Sequence, residues 1–346
     1  MRGAVHMQVS TIGLDLAKRV FQVHGVDSAG RVIIRRQLRR GQVIDFFEKL
    51  PPCLVGIEAC ATAHHWAREL MARGHEVRLM PPSYVKAYVK RSKNDAADAA
   101  AICEAVTRPS MRFVPVKGVE QQAALMLHRT RELLVRQRTQ LINAMRAHLA
   151  ELGIVAAQGR DGVKELIGMA SSDQLPQAVR DSLRALIMQL EAAHQQIVGI
   201  ERRLQAQHRT SESSRRLETI PGIGVIGATA IAATVTDPTV FKSGREFAAW
   251  IGLVPRQNST GGKQRLGSIS KQGDRYLRKL LIVGAMAVIR HARRQPEKHP
   301  WLIQLLARRP AKLAAVALAN KTARIAWAML VRGEDYQALR RLAAAA

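Results

Sequence analysis

Short apolar runs separated by turn residues dominate the first part of the chain, and they predict strands before they predict helices. Ser10-Thr11-Ile12-Gly13-Leu14-Asp15 is apolar and closes on a carboxylate. Leu16-Ala17-Lys18-Arg19 makes a turn, and a second run occupies residues 20–26. Residues 31–37 give a third strand, basic at both ends. Residues 42–50 read as a short helix stopped by Pro51-Pro52. A fourth strand, 54–58, ends on Glu58. Helical spacing follows from 64 to 73, with Gly74 as its cap, and a fifth strand at 76–80 is closed by Pro81-Pro82. A basic helix at 83–91 carries Lys86, Lys90 and Arg91. Ser92-Lys93-Asn94-Asp95 opens the next helix, which runs through Asp98 to about residue 106.

Three strands, a helix, a strand, a helix, a strand and two helices is the order of an RNase H-like fold, an α/β sheet of mixed direction. In that fold the first aspartate sits mid-sheet and holds divalent metal. After residue 120 the period changes. Residues 120–153 form a long helix in which Leu127, Leu134 and Leu141 recur every seven residues. Arg131 and Arg138 fall where a clean seam would be apolar, so this helix either packs on a narrow stripe or lays basic faces on a polyanion. A second long helix, 177–207, places Val179, Leu183, Leu186, Leu190, Ala193, Ile197, Ile200 and Leu204 at alternating four and three spacing. The two make an antiparallel hairpin or a coiled coil between subunits, with 159–173 as the elbow and 208–214 as a polar linker.

Ile220-Pro221-Gly222-Ile223-Gly224 lies between helical runs and matches a helix-hairpin-helix turn. Gly222 and Gly224 there either expose backbone N–H groups to phosphate or only close a tight turn. An alanine-rich helix at 226–233 and a short one at 247–251 follow. Residues 256–267 are the most irregular in the chain and lack the spacing of a nucleotide P-loop. Such a basic, hydroxyl-bearing loop either presents Ser259 as a nucleophile, with Arg256, Lys263 and Arg265 on phosphate, or is a surface loop touching nucleic acid. Lys271, Arg275, Arg278 and Lys279 open a helix that turns wholly apolar at 280–289 and is expected to be buried, as is a last helix at 314–330.

Charge narrows the partner. Lys and Arg number 54 against 27 Asp and Glu, a surplus of +27 that favours nucleic acid over membrane. No apolar run spans a bilayer, since residues 313–331 are broken by Asn320, Lys321 and Arg324, and no signal segment opens the chain. Cys53, Cys60 and Cys103 lack metal spacing and read as reduced thiols of a cytoplasmic protein, buried as small apolar side chains. The 4% aromatic content argues against a base-stacking platform.

In so basic a chain, four acids at one end of a sheet are costly without a cation. Asp15 and Glu58 end central strands, and Asp95 and Asp98 share a helix face. Two divalent ions would neutralise them and activate phosphate oxygens for in-line displacement. The separate roles are a helix cap for Asp95, a solvated Asp98, and Glu58 paired with Arg68 or His64. Four together favour metal.

Several motifs carry a resemblance. Ile12-Gly13-Leu14-Asp15, Gly56-Ile57-Glu58-Ala59 and Lys93-Asn94-Asp95-Ala96-Ala97-Asp98 resemble the DEDD set of the family-110 insertion-sequence transposases. Residues 220–224, 247–255, 258–263 and 269–274 resemble the second half of that family. The resemblance implies α/β plus all-α architecture: a RuvC-like domain at 8–110, a helical coiled-coil segment at 118–214, and a helical C-terminal transposase domain at 215–338. It implies Asp15, Glu58, Asp95 and Asp98 as ligands of Mg²⁺ or Mn²⁺. It implies a serine nucleophile in the 258–263 loop, Ser259 or, one register step away, Thr260. Arg256, Lys263, Arg265, Lys271, Gly222, Gly224, Arg131 and Arg138 are the expected nucleic-acid contacts. The implied partners are element-end and target DNA, a structured bridge RNA from the element, and further copies of the chain as dimer or tetramer. Two other readings remain: a RuvC-like nuclease cutting DNA junctions by hydrolysis, and a non-catalytic nucleic-acid-binding protein.

Overall fold

The computed structural model describes residues 8–89 and 94–337. Lys90, Arg91, Ser92 and Lys93, residue 338, and the first seven residues read for a signal segment lie outside the described residues. The chain divides into two compact units, Met1–Val119 and Glu120–Ala346.

The first unit contains β1 (Thr11–Leu16), β2 (Val20–Val26), β3 (Val32–Arg39), α1 (Val43–Glu48), β4 (Leu54–Glu58), α2 (Ala63–Met71), β5 (Glu76–Met80), α3 (Pro82–Val85) and α4 (Asp95–Val106). The strands form one sheet in the order β3-β2-β1-β4-β5, antiparallel on the β3–β1 side and parallel from β1 to β5. This mixed sheet is compatible with the RNase H-like arrangement. The expected helix at 83–91 is shorter than its periodicity suggested: α3 gives way to a 3₁₀ turn over Lys86–Tyr88.

The two sheet faces are built differently. Ile12, Leu14, Phe21, Val23, Val55 and Ile57 form one apolar layer with Phe47 of α1 and Ala63, Trp66 and Leu70 of α2. On the other face Gly13 and Gly56 are register partners on adjacent parallel strands. A Cβ on Gly13 would lie 2.1 Å from the Ala99 carbonyl oxygen and 2.4 Å from the Cys103 nitrogen. One on Gly56 would lie 2.8 Å from Val106 Cβ. α4 therefore rests almost directly on the strand backbones, and Met80, Ile102, Ala105 and Val106 pack around it. Asn94, not Asp95, caps α4: its side chain accepts the Ala97 N–H at 2.8 Å. Asp95 is the first helical residue, which corrects its expected role as the cap.

The second unit contains α5 (Val119–Ala150), α6 (Arg160–Ala170), α7 (Gln177–Thr210), α8 (Glu212–Glu218), α9 (Val225–Thr234), α10 (Gly244–Ile251), β6 (Pro255–Gln257), β7 (Leu266–Ile269), α11 (Arg275–Ala292), α12 (Pro300–Arg308) and α13 (Ala311–Arg332). α5 and α7 run antiparallel. Arg131 meets Glu201 at 2.6 Å, while further along Met145 and Leu149 pack with Leu183 and Leu190. The apolar seam of α7 is thus covered by its own chain, with Leu183, Leu190, Ala193, Ile197, Ile200 and Leu204 all buried.

Several expectations are corrected. The 159–173 elbow contains α6, whose Leu166 is buried in the same cluster. Gly162 and Gly168 weaken its helical signal in the sequence. The 208–214 linker is the end of α7 and the start of α8. His208 closes that bend, its ring nitrogens 2.9 Å from Ser214 Oγ and 2.8 Å from Glu218 Oε2. Residues 256–267 are not irregular but form the β6–β7 hairpin. Lys271 precedes α11 rather than opening it. That helix buries only one face (Leu277, Leu281, Ala285, Ile289), and Val283 is 58% exposed. Over 314–330, α13 buries Ala315, Ala319, Ala323 and Ala326 and exposes only Lys321 and Arg324, as expected of a packed helix. Cys60, expected as a buried side chain, is exposed, whereas Cys53 and Cys103 are buried.

Gly13→Ala should destabilise the first unit by about 3 kcal/mol, because the backbone of α4 has nowhere to go. Gly41→Ala, which meets nothing within 4 Å, should leave the melting temperature nearly unchanged. His128, buried in α5 with Nδ1 3.1 Å from the Tyr276 hydroxyl, is held neutral. Burial, then the nearby Arg131 charge, pushes its pKa down to about 4. Below the ordinary histidine pKa near 6.5, the unfolded chain takes up a proton that the folded chain refuses. Stability should therefore fall as pH drops from about 6.5 to about 4, by on the order of 3 kcal/mol. In urea unfolding at stepped pH, His128→Gln should flatten that slope.

Candidate active site

Strand alternation puts Gly13 and Asp15 on one face of β1, and Gly56 and Glu58 on the same face of β4. The Leu14–Ile57 register pair makes Asp15 and Glu58 level at the ends of adjacent strands. α4 lies across this face, and its first turn carries Asp95 and Asp98. Carboxylate oxygens of Asp15, Asp95 and Asp98 all lie within 4.8 Å of one another. Glu58, half-buried and in register with Met80, is not one of these three. The structure thus gathers three of the four expected acids. His64 and Arg68 hold the 117 segment, through the Lys117 N–H to His64 Nδ1 (3.1 Å) and Arg68 Nη1 to the Lys117 carbonyl (2.6 Å).

Three carboxylates this close repel one another unless a cation sits among them. Their oxygens are hard donors suited to Mg²⁺ or Mn²⁺. Two oxygens on opposite sides of a Mg²⁺ ion are about 4.2 Å apart, so the 4.8 Å cluster needs only small side-chain rotations to fit one.

In the second unit the β6–β7 hairpin has a fixed base and an open tip. Arg278, one of the four cations expected to open α11, is buried: its Nη1 donates to the carbonyls of Ile251 (2.7 Å) and Gln272 (2.8 Å). Its position beside Leu277 and three before Leu281, on the buried stripe of α11, was the available signal. Gly252 and Gly273, both at positive φ, let the two chain segments touch. A Cβ on Gly273 would fall 1.8 Å from the Trp250 carbonyl oxygen. Ser270 N–H donates to Val254 O (2.8 Å) and Asn320 Nδ2 to Leu253 O (3.1 Å).

At the tip, Asn258 N–H donates to Arg265 O (2.8 Å) and Lys263 N–H to Thr260 O (3.0 Å), while Gly261 and Gly262 take left-handed conformations. Ser259 Oγ accepts the Arg265 N–H at 3.2 Å. Arg256, Ser259, Thr260, Lys263, Arg265 and Lys271 are exposed. Arg256 also donates to the Ser270 carbonyl (3.2 Å).

The other expected contacts divide. Arg131 is engaged with Glu201 at 2.8 and 2.6 Å, and Arg138 is half-buried along α5. Gly222 has φ +91 and its carbonyl oxygen would be 1.8 Å from a Cβ on Gly284, so it seats the turn on α11. Gly224 is the N-cap residue of α9, and a Cβ there would meet nothing.

A family model described as "Transposase IS116/IS110/IS902 family" matches residues 214–300, and an IS110-type DEDD transposase model matches residues 12–154. The chain is 54% identical, over 96% of its length and 99% of the relative's, to a "Probable family 20 transposase" of Pseudomonas aeruginosa. It is 41% identical to the "Transposase for insertion sequence element IS1328" of Yersinia enterocolitica, over 94% of this chain and 98% of that one. The "Transposase for insertion sequence element IS1111A" of Coxiella burnetii is also 41% identical, over 95% and 92% respectively. The chain belongs to the IS110/IS116 family of transposases. This transposase is a DNA-processing enzyme that acts in transposition of an insertion sequence. Among the described residues, no helix is long and apolar enough to cross a membrane.

If the carboxylates hold a cation, Mg²⁺ should raise the melting temperature of the wild-type protein. At a hundredfold excess over Kd the gain is about 2.7 kcal/mol. Asp98→Asn should lose most of that gain. In EDTA it should be at least as stable as wild type, because one of three repelling charges is gone.

Proposed function

We propose that this transposase cuts and rejoins DNA through a covalent serine–DNA intermediate, aided by a divalent ion at the acidic site. The observation that carries this reading is the convergence of Asp15, Asp95 and Asp98, with Glu58 level on the neighbouring strand. Bound there, Mg²⁺ or Mn²⁺ would withdraw charge from phosphate oxygens. Ser259 is the nucleophile. Its Oγ attacks the phosphorus, the bond from phosphorus to the 3′ oxygen breaks, and that oxygen leaves with a proton as a 3′ hydroxyl. The 5′ phosphate stays on the serine. Attack by a second strand's 3′ hydroxyl then reseals the backbone and returns the serine.

Ser259 is favoured over Thr260 because its oxygen is already oriented by the Arg265 N–H, a donor that favours the deprotonated hydroxyl. Arg256, Lys263, Arg265 and Lys271 hold neighbouring phosphates. The turn at Gly222 to Gly224 adds backbone donors at the start of α9.

The +27 surplus and the long basic helices support a second polyanion, a structured bridge RNA whose pairing selects element-end and target DNA. In this reading the chain works as a RuvC-like region at 8–110, a coiled-coil region at 118–214 and a transposase region at 215–338. Exposed apolar positions of α5, Met126 and Leu133, seven apart, join subunits into a dimer or tetramer.

Purified protein mixed with labelled element-junction DNA, element RNA and Mg²⁺ should give an adduct that survives a denaturing gel. Ser259→Ala should abolish it and Thr260→Ala should retain it. Loss in Thr260→Ala alone would move the nucleophile by one residue. Cleavage by all three proteins without an adduct would replace this mechanism with metal-assisted hydrolysis.

A further inference from the structure

The carboxylate site occupies only part of its sheet face. Register pairs run from Asp15 to Gln22 on β2 and from Gln22 to Gln37 on β3, so these three side chains share one face. Arg35, paired with His24, and Arg39, paired with Val20, lie on that same face two residues either side of Gln37. α4 lies over β1, β2 and β4. β3 is the edge strand beyond it, and Arg35, Gln37 and Arg39 are all exposed.

The arginines of this segment have two kinds of surroundings. Arg36, on the opposite face of β3, lies over the Phe46 ring at 5.9 Å. Arg40, just past the strand, lies over Trp66 at 5.1 Å. Both contribute to packing. Arg35 and Arg39 make no ion pair among the described residues. Charge that served only to block edge-to-edge pairing would do so from either face. Here the unpaired charge is on the face that carries Asp15. Lys18 and Arg19, exposed in the turn after β1, add charge at the same end of the sheet.

We propose that this open half of the sheet face is a track for the sugar-phosphate backbone of a DNA strand leading to the carboxylate cluster. Arg35 and Arg39 would contact phosphates about 14 Å apart along β3, and the amides of Gln37 and Gln22 would hydrogen-bond the backbone between them and Asp15. Gln37 is two strand spacings, about 10 Å, from Asp15. The contacts carry no base information, so the track positions any sequence. The inference rests on the reading that the Asp15 cluster processes DNA.

The test is fluorescence anisotropy of the full chain with a labelled element-end DNA in EDTA, over a salt series. Arg35→Gln/Arg39→Gln should weaken binding about tenfold at 100 mM salt and lower the log–log salt slope by about two. Arg36→Gln/Lys49→Gln removes the same charge elsewhere and should leave affinity within about twofold. Equal loss in both pairs, no loss in the first, or loss for an RNA of equal length but not for DNA would each overturn the track. Melting temperatures of both pairs within a few degrees of wild type confirm that folding is not what is read. Asp15→Asn should bind DNA as wild type does while forming no adduct. If it forms adduct normally, the metal-site reading fails, and the arginine result still decides the track because the binding buffer holds no free metal.

Discussion

The seating of α4 on the backbones of β1 and β4 is the contact on which the acidic site depends. Gly13 and Gly56 are side by side, and neither position can hold even a methyl group without striking the helix. That close approach sets the height of the helix above the sheet. It brings the first turn of α4, with Asp95 and Asp98, down to the end of β1, where Asp15 projects from the same face. Asn94 caps the helix and leaves Asp95 free of that task. The apolar layer on the opposite face, from Ile12 to Trp66, anchors the sheet on which the helix lies. A cluster of like charges is tolerated because packing elsewhere in the unit imposes it.

The second unit solves a different problem, which is to make an exposed loop geometrically defined. The β6–β7 hairpin has few apolar side chains of its own, and its definition comes from below. Buried Arg278 ties the end of α10 to the segment after β7, and the glycines at 252 and 273 let those segments touch. The tip is then stiffened by its own backbone bonds and by the Ser259–Arg265 contact. The Ser259 hydroxyl on this tip is exposed yet hydrogen-bonded to the hairpin's own backbone.

The rows of charge in this transposase divide by face rather than by segment. Arg131 on α5 is taken up by Glu201, and Arg36 and Arg40 lie against aromatic rings, whereas Arg35 and Arg39 are exposed with no ion pair among the described residues. Net charge predicts a polyanion partner without saying which cations meet it. That distinction needs the pleat, the register and the neighbours of each side chain.

By itself the sequence determined the strands, most helices and the acids worth watching, because period-two and period-3.6 patterns are local properties. Strands at 20–26, 54–58 and 76–80 were legible to the residue, since apolar runs bounded by Pro, Gly and charge have few other readings. α6 was missed because its glycines carry a weak local signal, and it is its burial against α5 and α7 that makes it a helix. The hairpin at 255–269 was missed because its order comes from contacts with Arg278 and Asn320, both distant or hidden in sequence. The carbonyl partners of Arg278 and the two-sided sorting of the β3 arginines were likewise decided only in three dimensions. Which acids converge was also a tertiary outcome: Asp15 and Asp98 are separated by 83 positions, and only the glycine-floored approach of α4 brings them within reach of one ion.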